Sequence, residues 1–189
     1  MNEADIRITA ETTPNPHTLK FIVYRTLVES GSADFRNVEA AEKSPLAQSL
    51  FAVANVKAVL IGRDFTTVTK IESAEWPAMV PQLAAVIRRV LANEANPVGE
   101  VPASIVSESS AGPDDPLAGQ ICEVLDREIR PAVAMDGGDI VFRSYRDGIV
   151  TLHLQGACSS CPSSILTLKM GVENRLKSLF PEIREVVQV

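Results

Sequence analysis

The sequence predicts an α+β protein built from two small mixed domains joined by a flexible acidic linker. Three observations lead there. Period-two apolar runs and period-3.6 stripes occur together in each half of the chain. One tract, residues 93–116, breaks both patterns with four Pro, four Ser, two Gly, five acids and no Lys or Arg. The 189 residues suffice for two compact units of roughly 70–90 residues each, near the lower limit for a self-sufficient core.

The first domain is read as residues 1–92. Ile6 to Ala10 alternates as a strand, Thr13-Pro14-Asn15-Pro16 is a turn, and Leu19 to Tyr24 is a second strand. Ser44-Pro45 gives an N-cap followed by Pro at the first helical position, opening a short helix through Phe51. Val56–Ile61 and Phe65–Lys70 form a hairpin around Gly62-Arg63-Asp64. Ser73 is placed to cap a last helix whose stripe is Met79, Val80, Leu83, Val86, Ile87, Val90 and Leu91. Pro81 should kink that helix or mark its true start. Arg88-Arg89 reads as its wet face, and His17 as a solvated loop residue.

Residues 93–116 cannot bury much apolar surface and should remain an open tether. The formal charge of -6 resides there almost entirely. The acidic balance argues against nucleic acid or an anionic membrane as partner, and no apolar run reaches the ~18–20 residues that cross a bilayer. The acidic start, Met1-Asn2-Glu3-Ala4-Asp5, has neither a signal-peptide core nor an Arg-rich transit pattern. The expected location is the bacterial cytoplasm, or the mitochondrial matrix for an already trimmed eukaryotic form.

The second domain, residues 117–189, is read as helix, β-hairpin, helix, strand. Asp115-Pro116 caps a helix with a buried stripe of Leu117, Ile121, Val124, Leu125 and Ile129, which Pro131 ends. Asp136-Gly137-Gly138-Asp139 turns the chain, and the lack of GxxxxGK[ST] or GxGxxG context makes this a backbone turn, not a phosphate cradle. Strands Ile140–Tyr145 and Ile149–Leu154 pair across Arg146-Asp147-Gly148. Pro162 then starts a helix with face Ile165, Leu168, Val172, Leu176 and Leu179, Pro181 stops it, and Ile183–Val189 is a closing strand.

Chemistry concentrates between the hairpin and that helix, at Cys158-Ser159-Ser160-Cys161. Two sulfurs three positions apart at a helix start can face one metal centre, and the helix N-terminus favours thiolate over thiol. Gly156 lets the backbone approach a bulky anion, and the Ser residues leave room around the sulfurs. A CxxC also serves dithiol–disulfide exchange or a zinc-dependent interaction module. Redox motifs of the first kind prefer a βαβ context, and structural zinc needs about four protein ligands. His153 lies on the preceding strand but reads as a surface or satisfied residue, and Cys122 as a small buried apolar one. Iron–sulfur clusters are usually held by four thiolates, so two per chain point to two chains and an exposed, readily released cluster. No His and acid accompany the Ser cluster as a triad would require, and a metal role for Asp136 and Asp139 is the minor alternative to bonding the turn's amides.

Longer strings around these residues resemble the NifU-like (Nfu-type) iron–sulfur scaffold and carrier family. In the second domain the resemblance rests on Asp136-Gly137-Gly138-Asp139-Ile140, on Gly156 through Ser164, and on Thr167-Leu168-Lys169 with Gly171-Val172-Glu173. In the first it rests on Thr13 through Pro16 with Thr18-Leu19-Lys20-Phe21, and on Ile61 through Phe65 with Val68-Thr69-Lys70. The resemblance implies a carrier and not an enzyme. It implies one [4Fe-4S] cluster bridging a homodimer through Cys158 and Cys161 of each subunit, accepted from upstream donors and passed to apo-proteins. It also implies a first domain that recognises targets or stabilises the loaded form.

Overall fold

The computed structural model describes residues 5–99, 116–159 and 162–189; the tract 100–115 and Ser160-Cys161 lie outside them. The architecture is α+β, with one five-stranded antiparallel sheet and one three-stranded sheet.

The first unit comprises β1 (Ile8–Thr12), β2 (Thr18–Val23), β3 (Ala33–Phe35), α1 (Pro45–Phe51), β4 (Val56–Ile61), β5 (Phe65–Lys70) and α2 (Trp76–Asn93). Its strand order is β1-β2-β5-β4-β3. Side chains alternate across a strand, and the register sorts them. Leu19 pairs with Val68, Phe21 with Thr66 and Phe35 with Val59 on the face that meets α1 and α2. There Phe21, Leu46, Leu50, Leu83 and Ile87 are fully buried. The Ser44 side chain caps α1 by accepting from Ala47 N, as its position predicts.

Several details differ from expectation. The first strand starts two residues later, at Ile8, and Ile6 packs into the core instead. The short β3 shows too few residues for alternation to be read. Glu75, not Ser73, precedes α2 and makes no side-chain cap bond. Helix α2 runs continuously through Pro81, which is exposed and only five residues in, so the missing donor deprives just the first turn. His17 is half-buried. Past α2, Leu46 N donates to Pro97 O (2.8 Å) and Val98 joins the core, so this stretch of the acidic tract packs on the first unit.

The second unit comprises α3 (Pro116–Val124), a π turn (Leu125–Ile129), α4 (Arg130–Met135), β6 (Gly138–Arg146), β7 (Ile149–Gly156), a 3-10 turn (Ala157–Ser159), α5 (Pro162–Leu179) and β8 (Glu185–Gln188). Pro131 does not end the helix. The wide turn before it bonds Arg130 N to Leu125 O, and Pro131 then falls in the first turn of a fresh helical segment, where no donor is needed. Arg146 opposes Ile149 across a two-residue turn with Asp147 and Gly148 both at positive φ, the hairpin geometry expected. Strand β8 pairs parallel with β7, which becomes the middle strand.

The outer face of the five-stranded sheet is covered by the second unit. Lys20 opposes Thr67, which opposes Leu60, and all three point away from α1 and α2. They are nonetheless 8%, 1% and 1% exposed. Strands β4 and β5 lie against β7, the strand that leads into the cysteine loop.

Candidate functional site: the cysteine loop

Strand β7 carries the chain to Gly156, whose positive φ (63°) turns it into the 3-10 turn holding Cys158. A side chain at Gly156 would have its Cβ 2.7 Å from Gly137 O and 2.6 Å from Leu60 Cδ2. Ala157 N donates to Gly137 O (3.1 Å), tying the loop to the Gly137-Gly138 turn. That turn is a backbone device, as read, with Gly137 at φ 77°. It also does something the sequence did not announce: a Cβ on Gly138 would sit 2.6 Å from Cys158 Sγ. The missing side chain is the space the sulfur occupies.

Cys158 is buried, 3% exposed, at the edge of the second unit's apolar core. Cys161 lies outside the described residues. Cys122 is buried in that same core, the role expected of it. Ser159 Oγ donates to Gly156 O (2.9 Å) and so stiffens the loop backbone. His153 is committed elsewhere. Arg36 donates to its Nε2 (2.9 Å), which fixes the ring proton on Nδ1, and Nδ1 donates to Val189 O (2.6 Å). Among the described residues no three His, Cys, Asp or Glu side chains converge as a metal site would require.

Asp139 serves structure. Its Oδ1 accepts from Ile140 N (2.8 Å) and from Arg130 Nε (3.1 Å). Its Oδ2 accepts from Ser32 Oγ (2.5 Å), a residue of the first unit that also approaches Gln155 Oε1 at 3.1 Å.

Further contacts between the units surround the loop. Asn15 Nδ2 donates to Ala157 O (3.2 Å), one residue before Cys158. Thr67 Oγ1 donates to Gly137 O (2.9 Å). Lys20 Nζ donates to Ala134 O (2.8 Å), an end carbonyl of α4 that also accepts from Gly137 N (3.1 Å), and lies 4.8 Å from the Phe65 ring centroid. The Thr13–Pro16 segment is therefore both a turn and a contact. Asn15 Oδ1 accepts from His17 N while its amide reaches the cysteine loop. Sequence reasoning missed Lys20, Leu60 and Thr67, because an outward strand position reads as solvent-facing unless the covering unit is known.

Away from the loop, α5 is tied down by carboxylates. Glu128 is held at a pKa of about 2, from a usual 4.5, by hydrogen bonds from Arg175 and Arg127. Glu173 is lowered by its bond from Lys177 and by accepting from Val186 N of β8.

The sequence has known relatives. Residues 121–187 match the family profile described as NifU-like domain, and residues 8–94 match that described as scaffold protein Nfu/NifU N terminal. The human protein named NFU1 iron-sulfur cluster scaffold homolog, mitochondrial, is 44% identical over 183 residues, covering 96% of this chain and 71% of that protein. The Drosophila persimilis protein of the same name is 46% identical over 189 residues, covering 96% of this chain and 64% of that one. A solution structure of a NifU-like protein from Saccharomyces cerevisiae shows 28% identity and a TM-score of 0.44, covering 55% of this chain and 87% of that one. The chain spans about two thirds of the length of the curated relatives it matches. With both family profiles matched in order and a 44% identical scaffold relative aligned along 96% of its length, the chain belongs to the Nfu/NifU family of iron–sulfur cluster scaffold proteins.

Proposed function

We propose that this chain carries a [4Fe-4S] cluster as cargo between two copies of itself, each supplying Cys158 and Cys161, and passes it to apo-proteins. Family membership supports the scaffold role, and the relatives are named scaffolds, not enzymes. The observation that carries the finer reading is the loop itself. A thiol sits between a Gly-Gly turn and a helix start, with its CxxC partner three positions on, and each chain owns half of the four thiolates that a cubane takes. Half-coordination by each subunit leaves the cluster easy to surrender, which suits delivery. Upstream donors fill the pair and apo iron–sulfur clients empty it. The relatives' names place those proteins in mitochondria, which favours the organellar alternative over the bacterial cytoplasm. Among the described residues no helix is long and apolar enough to cross a membrane.

Anaerobic reconstitution with iron and sulfide tests this. The expected product is a brown dimer with about four iron and four sulfide per two chains. Cys158→Ala or Cys161→Ala should abolish iron uptake, and Cys122→Ala should leave it intact. Iron retained by both loop variants, or a full cluster on a single chain, would refute the reading.

A further inference from the structure

The outer sheet face of the first unit is built as a dock. Lys20 and Thr67 project side by side from adjacent strands β2 and β5, and Leu60 follows on β4. In a free-standing sheet of this size that face would meet water. Here the face is mixed in character, with a lysine and hydroxyls interleaved with Leu60 and Phe65. That is the composition of contacts that separate and re-form, not of a permanent core.

What it docks against is specific. Lys20 and Thr67 reach main-chain carbonyls at Ala134, the end of α4, and Gly137, in the turn beneath the cysteine loop, while Asn15, from the turn before β2, reaches that of Ala157. Leu60 closes over Gly156 at a distance that admits no side chain there. Gly137 O is held from two directions, by Thr67 Oγ1 and by Ala157 N. The backbone leading into Cys158 is thus clamped while its sulfur is buried in the second unit's own core.

We infer that the first unit docks reversibly over the cysteine loop, that the docked chain is the cluster-free resting form, and that docking competes with cluster capture by a second copy. The inference rests on the shared-cluster reading proposed above. A sulfur that must reach a metal centre shared with another chain cannot stay 3% exposed beneath clamped backbone. Releasing the dock frees Gly137, Gly156 and Ala157 and lets the loop present its thiol. The partner for the dock is the chain's own second unit, and the occupant that displaces it is the loop of another copy.

The experiment uses the full-length, cluster-free chain. The rate of Cys158 alkylation by a maleimide, mapped by mass spectrometry, reports the fraction of molecules with the loop released. Two variants loosen the dock: Lys20→Ala removes a charged donor and Thr67→Val removes a hydroxyl at nearly constant volume. Losing a charge-assisted bond should speed labelling of Lys20→Ala by about tenfold or more, and losing a neutral one should speed Thr67→Val by about fivefold. The single tryptophan, Trp76, lies in the first unit, so its emission checks that this unit stays folded. Iron incorporation under limiting sulfide should quicken in the same order. Equal labelling rates in the wild type and both variants would overturn the inference. So would faster labelling in variants that take up iron no faster than an iron-competent wild type. If no form takes up iron while the labelling order holds, the cluster reading fails and the dock stands.

Discussion

Replacing Gly138 with alanine isolates the fit between the turn and the sulfur. The added Cβ would lie 2.6 Å from Cys158 Sγ, 2.8 Å from Gln155 O and 3.1 Å from Cys158 Cβ. An ordinary carbon contact is about 3.5–4.0 Å, so roughly an ångström must be made up on the sulfur side. Neither neighbour yields easily. Asp139 pairs with Gln155 in the β6–β7 ladder, which fixes that carbonyl, and Cys158 is seated in the apolar core. Gly138 is not among the positive-φ glycines, so the penalty is steric and not a matter of backbone conformation. Overpacking of this kind costs about 1–3 kcal/mol. In a unit of this size each kcal/mol lowers the midpoint by about 4–8 °C. Calorimetry of the apo chain should therefore show the second unit melting earlier while Trp76 emission, which follows the first unit, is unmoved. Removing the sulfur supplies the decisive control. Gly138→Ala combined with Cys158→Ala should cost less than the two single changes added together, by about 1 kcal/mol or more, because the alanine methyl takes the space the sulfur vacates. Additivity to within about 0.5 kcal/mol would show that the turn and the thiol do not share that space, and the reasoning would fail.

Gly119 in α3 offers the opposite case. Nothing lies within 4 Å of a Cβ there, so Gly119→Ala should stabilise the second unit by about 0.5–1 kcal/mol through helix propensity, read by the same calorimetry. Glu173→Gln should loosen β8 by weakening the acceptor for Val186 N, seen as faster amide exchange along Glu185–Gln188. The pH response has a defined sign. Glu173 and Glu128 ionise more readily folded than unfolded, so their contributions are complete above the ordinary carboxylate pKa of 4.5 and fade on acidification, for Glu128 down through about pH 2. Acid titration of Glu173→Gln should show a shallower loss of stability below pH 4.5 than the wild type. Asp139→Asn should cost about 1–3 kcal/mol by removing the carboxylate from Arg130, and should raise Cys158 labelling by weakening the Ser32 contact.

Signals confined to a few neighbouring residues were legible in the sequence. The Ser44-Pro45 cap, the Asp147-Gly148 turn and the Pro162 helix start each encode their geometry within about four positions. The candidate loop was legible for the same reason: spacing and helix start are local. Pro131 misled, because a proline reads as a stop unless a wider turn upstream has already reset the hydrogen bonding. The covered sheet face was illegible. Lys20 alternates with Leu19 and Phe21 as any surface lysine would, and only contacts more than a hundred residues away, at Ala134, turn it inward. The use of Gly138 as a sulfur berth was hidden likewise, since it depends on a chain segment twenty residues later.

The second unit's interior is apolar: Ile121, Leu125, Ile140, Val150, Leu152, Leu176 and Val186 share one buried cluster with Cys158 and Cys122, and no charged group is buried among them. Small zinc-bound modules draw their folding free energy from the ion and collapse when it leaves. A polypeptide whose interior is assembled from hydrocarbon has no such debt to its freight. On the carrier reading proposed above, its fold does not depend on the metal, so chelation should empty the protein without melting the second unit.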